Sequence, residues 1–352
     1  MSMRRTLLIP ALLGVLLLAL FAPAPVQAQM ASEEDPELAE WDVPWSDTRP
    51  RDPYVAPDGR VWFVGQRGDY VAVLDPESGD ITRHDLPAGA GPHNLIVADD
   101  GMIWYAGNRQ ANIGRVHPET GEVTTYPMPD EAARDPHTLV WDHHGNIWFT
   151  VQGGNMMGKF WPETGEVRLV EAPQTEGRGG QMSGVRPYGI KIDENNEPWI
   201  ALFGTNLIGH VDHETFELTT YELPEGTRPR RLGITSDQLI WYVDYAQGNL
   251  GRLDPATGEV THWPMPSGSD ARPYGMAIDD EDRIWFVETG SQPNRFVGFD
   301  PESEEFFSSV EVASGGGTIR HMYYDAETQQ VWFGTDANTV GRAELPPTRP
   351  VS

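Results

Sequence analysis

The chain has 352 residues, 39% of them hydrophobic and 10% aromatic with 12 Trp, enough to bury a large core and far too apolar to stay solvated. A net charge of −28 argues against nucleic acid and anionic membrane as partners. The absence of cysteine excludes disulfides, thiolate metal sites and a cysteine nucleophile.

In chain order the first segment reads as a leader. Arg4 and Arg5 precede an apolar run over residues 7–21, and Val26-Gln27-Ala28 offers small residues at the two positions a signal peptidase reads. Residues 1–28 are therefore expected to be a signal peptide cleaved after Ala28. The mature protein is expected to be exported, periplasmic or extracellular, monomeric, and without a membrane span. A membrane anchor is the competing reading, because the run approaches the length at which the two are confused.

The rest of the chain is repetitive. A turn followed by an apolar-Trp-apolar strand recurs at Trp62, Trp104, Trp148, Trp199, Trp241, Trp285 and Trp332, spaced 42 to 51 residues apart. A period in the forties with four strand-sized segments is the signature of a β-propeller blade. In the third copy, residues 137–141 read as a first strand, His143-His144-Gly145-Asn146 as a turn, and 147–151 as a second strand. Residues 155–161 and 166–170 read as the third and fourth strands, joined by Pro162-Glu163-Thr164-Gly165. Glycine in that last turn supplies the positive φ of a tight hairpin. The repeated Trp reads as bulky core between neighbouring blades.

The seventh copy stops after its third strand, near Leu345. The missing strand lies at the other end of the chain, where Leu38-Ala39-Glu40-Trp41-Asp42-Val43-Pro44 fits the fourth-strand pattern. The expected fold is an all-β, seven-bladed propeller over 38–345, its last blade closed by the N-terminal strand, with a Pro-rich tail at 346–352. Closure of this kind removes an exposed sheet edge.

In such a blade the start of the first strand and the end of the second meet on one face near the axis. The first positions are expected to carry Tyr54, His93, His137, Tyr188, Leu232, Tyr274 and His321. Asp52, Asp135, Arg186, Arg230, Arg272 and Arg320 adjoin this ring, and Asn108, Gln152, Asp244, Glu288 and Asp336 end the second strands. Arginine at the mouth of so acidic a protein points to an anionic or carbonyl-bearing small molecule or peptide in the funnel. The plainer reading is a set of polar consensus residues that plug a water-filled channel. The other histidines, His84, His117, His143, His144, His210, His213 and His262, fall in turns or outer strands and are expected to be exposed. The connections at 174–185 and 289–294 reach the same face and could form a partial lid.

The blade pattern resembles the virginiamycin B lyase (streptogramin lyase) family. The likeness is clearest in Arg272-Pro273-Tyr274-Gly275-Met276 with Ile284-Trp285-Phe286-Val287-Glu288, and in Asn112-Ile113-Gly114-Arg115. The resemblance implies linearisation of a cyclic depsipeptide by β-elimination, with Mg²⁺ or another divalent cation and a histidine base. It implies His321 as the base and Asp336 as the metal-linked acid, while the convergence of side chains at the mouth leads us to expect His93, Tyr188, Arg272, Tyr274 and Arg320 against the substrate. The family's second acid corresponds to Ile319 and its substrate-contacting histidine to Tyr274. Asp135-Pro136-His137 repeats the acid-Pro-His pattern, so His137 is the alternative base, with Asp135, Gln152 or Glu288 as alternative metal ligands.

Three readings follow for the function. One is a metal-assisted lyase acting on a cyclic ester, either a depsipeptide or a lactone. Another is a non-catalytic extracytoplasmic binding propeller, and the third a metal-dependent lactone hydrolase of the gluconolactonase type.

Overall fold

The computed structural model describes residues 35–176 and 182–347. The leader expected at 1–28, residues 177–181 of the Gly-rich connection and 348–352 of the tail lie outside the described residues. Among the described residues there are 30 strands and no helix. Twenty-eight of them form seven four-stranded antiparallel sheets in meander order, and Gln174–Glu176 pairs with Met182–Gly184 as a separate small hairpin.

Six blades are continuous in sequence, over residues 50–85, 92–127, 136–171, 187–222, 229–264 and 273–311. The seventh takes its inner three strands from 322–344 and its outermost from Glu37–Asp42, paired from Glu37↔Glu344 to Asp42↔Thr339. Trp41 stacks on Trp332 with ring centroids 5.5 Å apart. The Glu40 carboxylate accepts from the Thr339 hydroxyl at 2.7 Å and the Ser314 amide at 2.8 Å. The ends of the chain are thus joined through backbone, ring and carboxylate contacts.

The core follows from strand alternation and the repeated Trp. Seven buried clusters each straddle two adjacent blades, and each contains one of the seven Trp. Trp148 of blade 3, for example, packs with Ile190, Ile200 and Val211 of blade 4. A blade has no interior of its own; its two faces become core only when neighbours cover them. Gly145 and Gly165, at φ of 75° and 74°, close the two hairpin turns of blade 3 in the left-handed region.

A bulge shapes the axis. In blade 3 Pro136 pairs with Val151, but the next pair is Leu139 with Phe149, and the same slip recurs in the first strands of blades 1 to 6. The extra residue lets two consecutive side chains, rather than alternate ones, reach the axis.

Candidate functional site

Register fixes which residues are equivalent. The mouth positions are Arg51, His93, His137, Tyr188, Arg230 and Tyr274, with Arg320 in the seventh blade. One residue deeper lie Asp52, Asn94, Thr138, Gly189, Arg231, Gly275 and His321. Tyr54 and Leu232, expected at the mouth, lie three and two positions deeper than it, and His321 is in the second tier. In blade 1 the residue equivalent to Pro136 is Pro50, not the Pro53 that immediately precedes Tyr54. The mouth residue stands eleven positions before the Trp in six blades and twelve in the last, a regularity present in the sequence.

The mouth tier is packed side by side. The His93 and His137 rings lie 3.5 Å apart, and His137 and Tyr188 4.3 Å apart. The Tyr188 and Tyr274 hydroxyls are hydrogen-bonded, and Arg230 covers Tyr274 at 3.6 Å and Tyr245 at 4.1 Å. Beneath them, Asp52 accepts from Arg51 Nε and from the Asn94 amide, both at 3.0 Å. Arg231 donates through Nη1 to Thr138 Oγ1 at 3.2 Å and through Nε to the Arg320 carbonyl at 3.0 Å.

This packing sets the charges. Burial works against ionisation of Asp52, yet Arg51, His321, Arg231 and the Asn94 amide hold its carboxyl well below the usual carboxylate range. Burial, followed by nearby arginines, pushes His93 and His137 far below the ordinary histidine value. His321 is pushed down to about 3 by burial and by Arg231, Lys191 and Arg51, against the opposing pull of Asp52. Burial would raise Tyr188, but Arg230, Arg231, Arg51 and the Tyr274 bond bring it down to about 8, while burial and Tyr188 itself raise Tyr274. All three histidines are therefore neutral at neutral pH.

Several polar atoms at the axis are left over. Arg49 Nε, Arg51 Nη2, Arg230 Nε, Arg231 Nη2 and His321 Nδ1 are buried without a hydrogen-bond partner. Around them Arg186, Arg228, Arg230 and Arg272 pair with no carboxylate among the described residues, in a chain with 53 acidic side chains. Buried unpaired donors are costly, and an acceptor-rich ligand would satisfy them.

The acids expected to hold a metal are differently placed. Asp336 gives both oxygens to Arg320, with Arg49 Nε 3.4 Å away, and Ile319 offers no ligand atom. Asp135 accepts the Gly153 and Gly154 amides at 2.6 and 3.0 Å, and fully buried Glu288 accepts the amide and hydroxyl of Ser267. Gln152 is half-buried at the end of its strand. Arg320 and Arg49 crowd Asp336, and among the described residues neither Asp336, Asp135 nor Glu288 belongs to a group of three ligand side chains close enough to share an ion, so the residues present do not fit Mg²⁺.

Two further expectations need correction or limits. Of the outlying histidines only His143 and His144 are exposed. His84 stacks on Trp62, His210 on Trp199, and His262 bonds the Tyr242 hydroxyl at 2.6 Å, because the outer strands lay them against rings. In the connection at 289–294, Asn294 is fully buried and Gly290 bonds the Ala271 carbonyl, so this segment is packed down rather than free to close.

The profile of the virginiamycin B lyase family matches residues 29–179 and 181–346. A virginiamycin B lyase structure from Staphylococcus aureus is 23% identical, with a TM-score of 0.77, covering 88% of this chain and 100% of that one. A streptogramin B lyase structure is 24% identical with the same TM-score, covering 90% and 100%. A catalytically inactive histidine-to-alanine form of the Staphylococcus aureus enzyme, with quinupristin, is 23% identical over 88% and 100%, again at 0.77. At these identities the likeness establishes the fold. Among curated protein sequences, no match is found.

Proposed function

The chain belongs to the virginiamycin B lyase family, and on that premise we propose that it is an exported carbon–oxygen lyase opening an anionic or carbonyl-rich ester at the funnel mouth. The observation that carries this reading is the set of buried polar atoms on the axis without a hydrogen bond: Arg51 Nη2, Arg230 Nε, Arg231 Nη2 and His321 Nδ1. β-Elimination needs a base for the proton next to a carbonyl and positive charge for the enolate that forms. His321 supplies the base, and because burial and the neighbouring cations hold it at about 3, negative charge on the bound substrate is needed beside it to raise its basicity. Arg231 Nη2, Arg51 Nη2 and Arg230 supply the charge that a metal provides in other designs, and no step here requires a metal. The basic-then-apolar start of the sequence supports export.

A second reading rests on burial. His93, His137, Tyr188 and Tyr274 are each no more than 6% exposed, which suits a rigid mouth that binds an anion without reacting.

The test is a panel of streptogramin B depsipeptides and of lactones bearing a carboxylate, followed by product mass. Elimination from a ring leaves the mass unchanged, whereas hydrolysis adds one water. His321→Ala is expected to lower turnover about 10²-fold or more, the usual worth of a general base. A dead His137→Ala beside an unaffected His321→Ala would move the base to blade 3. Binding without turnover across the panel would favour the second reading.

A further inference from the structure

Blades 3, 4 and 6 share a device at the turn between their first and second strands. Asp142, Asp193 and Asp279 each accept, through Oδ1, the amides two and four residues on, at 2.8 to 3.0 Å. The other oxygen meets a cation in two of the three. Asp142 Oδ2 lies 2.8 Å from Lys159 Nζ. Asp279 Oδ2 accepts Arg283 Nε at 2.7 Å and Trp285 Nε1 at 2.8 Å.

Blade 4 breaks the pattern. Asp193 Oδ2 accepts Trp199 Nε1 at 3.0 Å, but the residue in Arg283's place is Glu197, an acid in place of a cation. On the third strand, the residue opposite the Trp is Arg115, Lys159, Arg252 or Arg342 in blades 2, 3, 5 and 7, and His210 in blade 4. Two carboxylates are therefore brought together where neighbouring blades place a fixed positive charge, and among the described residues no arginine or lysine pairs with either.

Histidine nitrogens face them instead. Glu197 Oε2 is 2.8 Å from His210 Nε2, and Oε1 is 3.9 Å from His213 Nδ1. Both nitrogens are buried without a hydrogen bond, because Glu197 is off-line or too far for one. The ligand atoms of Asp193, Glu197 and His210 lie within 4.8 Å of one another. Metal bonds of about 2.0–2.2 Å place tetrahedral ligands about 3.3–3.6 Å apart, so small side-chain rotations would close the set.

We propose that Asp193, Glu197, His210 and His213 form a binding site for a divalent transition metal of the zinc class, on blade 4 away from the axial mouth. Mixed imidazole and carboxylate ligands select zinc, cobalt or nickel over magnesium. The Trp199 N–H and the amides of Asn195 and Glu197 fix the Asp193 carboxylate from behind, the outer bonding that metal ligands use. The ion ties the first turn to the third strand, as Lys159 does in blade 3.

The experiment uses the full chain, stripped with chelator and titrated with Co²⁺ by visible absorbance and with Zn²⁺ by calorimetry. One equivalent is expected to bind, with the intense d–d bands of a low-coordinate site and a raised Tm. His210→Ala is expected to weaken binding at least about 100-fold, beyond the loss typical of an outer-sphere partner. Glu197→Arg rebuilds the Asp279–Arg283 pairing, so it should fold with a Tm no lower than the metal-free chain and bind no metal. His143→Ala, at an exposed histidine, should bind as the parent does. Absence of stoichiometric binding, or equal affinity in Glu197→Arg or His210→Ala, would overturn the assignment.

Discussion

Arg320 and Asp336 form a two-point ion pair, Nη2 lying 2.6 Å from Oδ2 and Nη1 bonded to Oδ1. The pair lies at the start of the seventh blade's inner strand and just past the end of its second, where the family resemblance expects a metal-linked acid. A guanidinium on both oxygens fills the coordination a cation would need and adds charge that repels one.

Mg²⁺ is accordingly expected to leave the Tm and any turnover unchanged. Asp336→Ala should cost about 1 kcal/mol in urea unfolding, the scale of a partly exposed pair. A Mg²⁺-dependent rise in Tm that Asp336→Ala abolishes would show that the acid is available to metal after all.

Acid should weaken the fold well before the carboxylates titrate. His93, His137 and His321 have folded values far below their unfolded ones, so below about pH 6.5 the unfolded chain takes up protons that the folded one refuses. Stability then falls with pH by up to about 1.4 kcal/mol per unit for each ring. Asp52, held low, adds its own loss only as pH drops through the carboxylate range. Unfolding free energies from pH 7 to 4.5 should show this slope, and His137→Gln should flatten it by one ring's share.

Tyr188 should ionise early. Its folded value of about 8 lies below the ordinary tyrosine value, so its ionisation adds stability as pH rises from about 8 to 10. Tyr274, shifted the other way, withdraws stability only at higher pH. Tyrosinate absorbance should appear near pH 8 for one of the 11 tyrosines, vanish in Tyr188→Phe and move to higher pH in Arg230→Gln.

Closure through the N-terminal strand should be worth several interactions at once. Removing everything before Trp45 leaves the outer edge of blade 7 unpaired and uncovers Trp332, so a marked drop in Tm or aggregation is expected. Trp41→Ala alone should cost about 2–3 kcal/mol, less than a fully buried ring because Trp41 is half-exposed. A truncated chain that melts with the parent would refute the ring closure.

The sequence by itself determined the number of blades, the role of each Trp and the closing strand, expected at 38–44 and found at 37–42. Each of these is a local pattern repeated at nearly constant spacing: an apolar strand, a Gly turn, a Trp that a second blade must cover. It also placed His93, His137, Tyr188 and Tyr274 at the mouth. Arg51 and Arg230 complete that tier at the same eleven-residue spacing before the Trp, a signal legible in the sequence, whereas only the tertiary structure decided that His321 lies beneath it. The reason is the first hairpin of blade 7, where the residue paired with the Trp stands nine positions before it rather than eight, so the axis position at the mouth falls to Arg320. Pairings such as Asp52 with Asn94, Arg231 with Thr138 and Arg320 with Asp336 depend on blades meeting around a ring or strands meeting within one. The same holds for His210, which becomes a partner of Glu197 only when the third strand of blade 4 folds back against the turn that carries it.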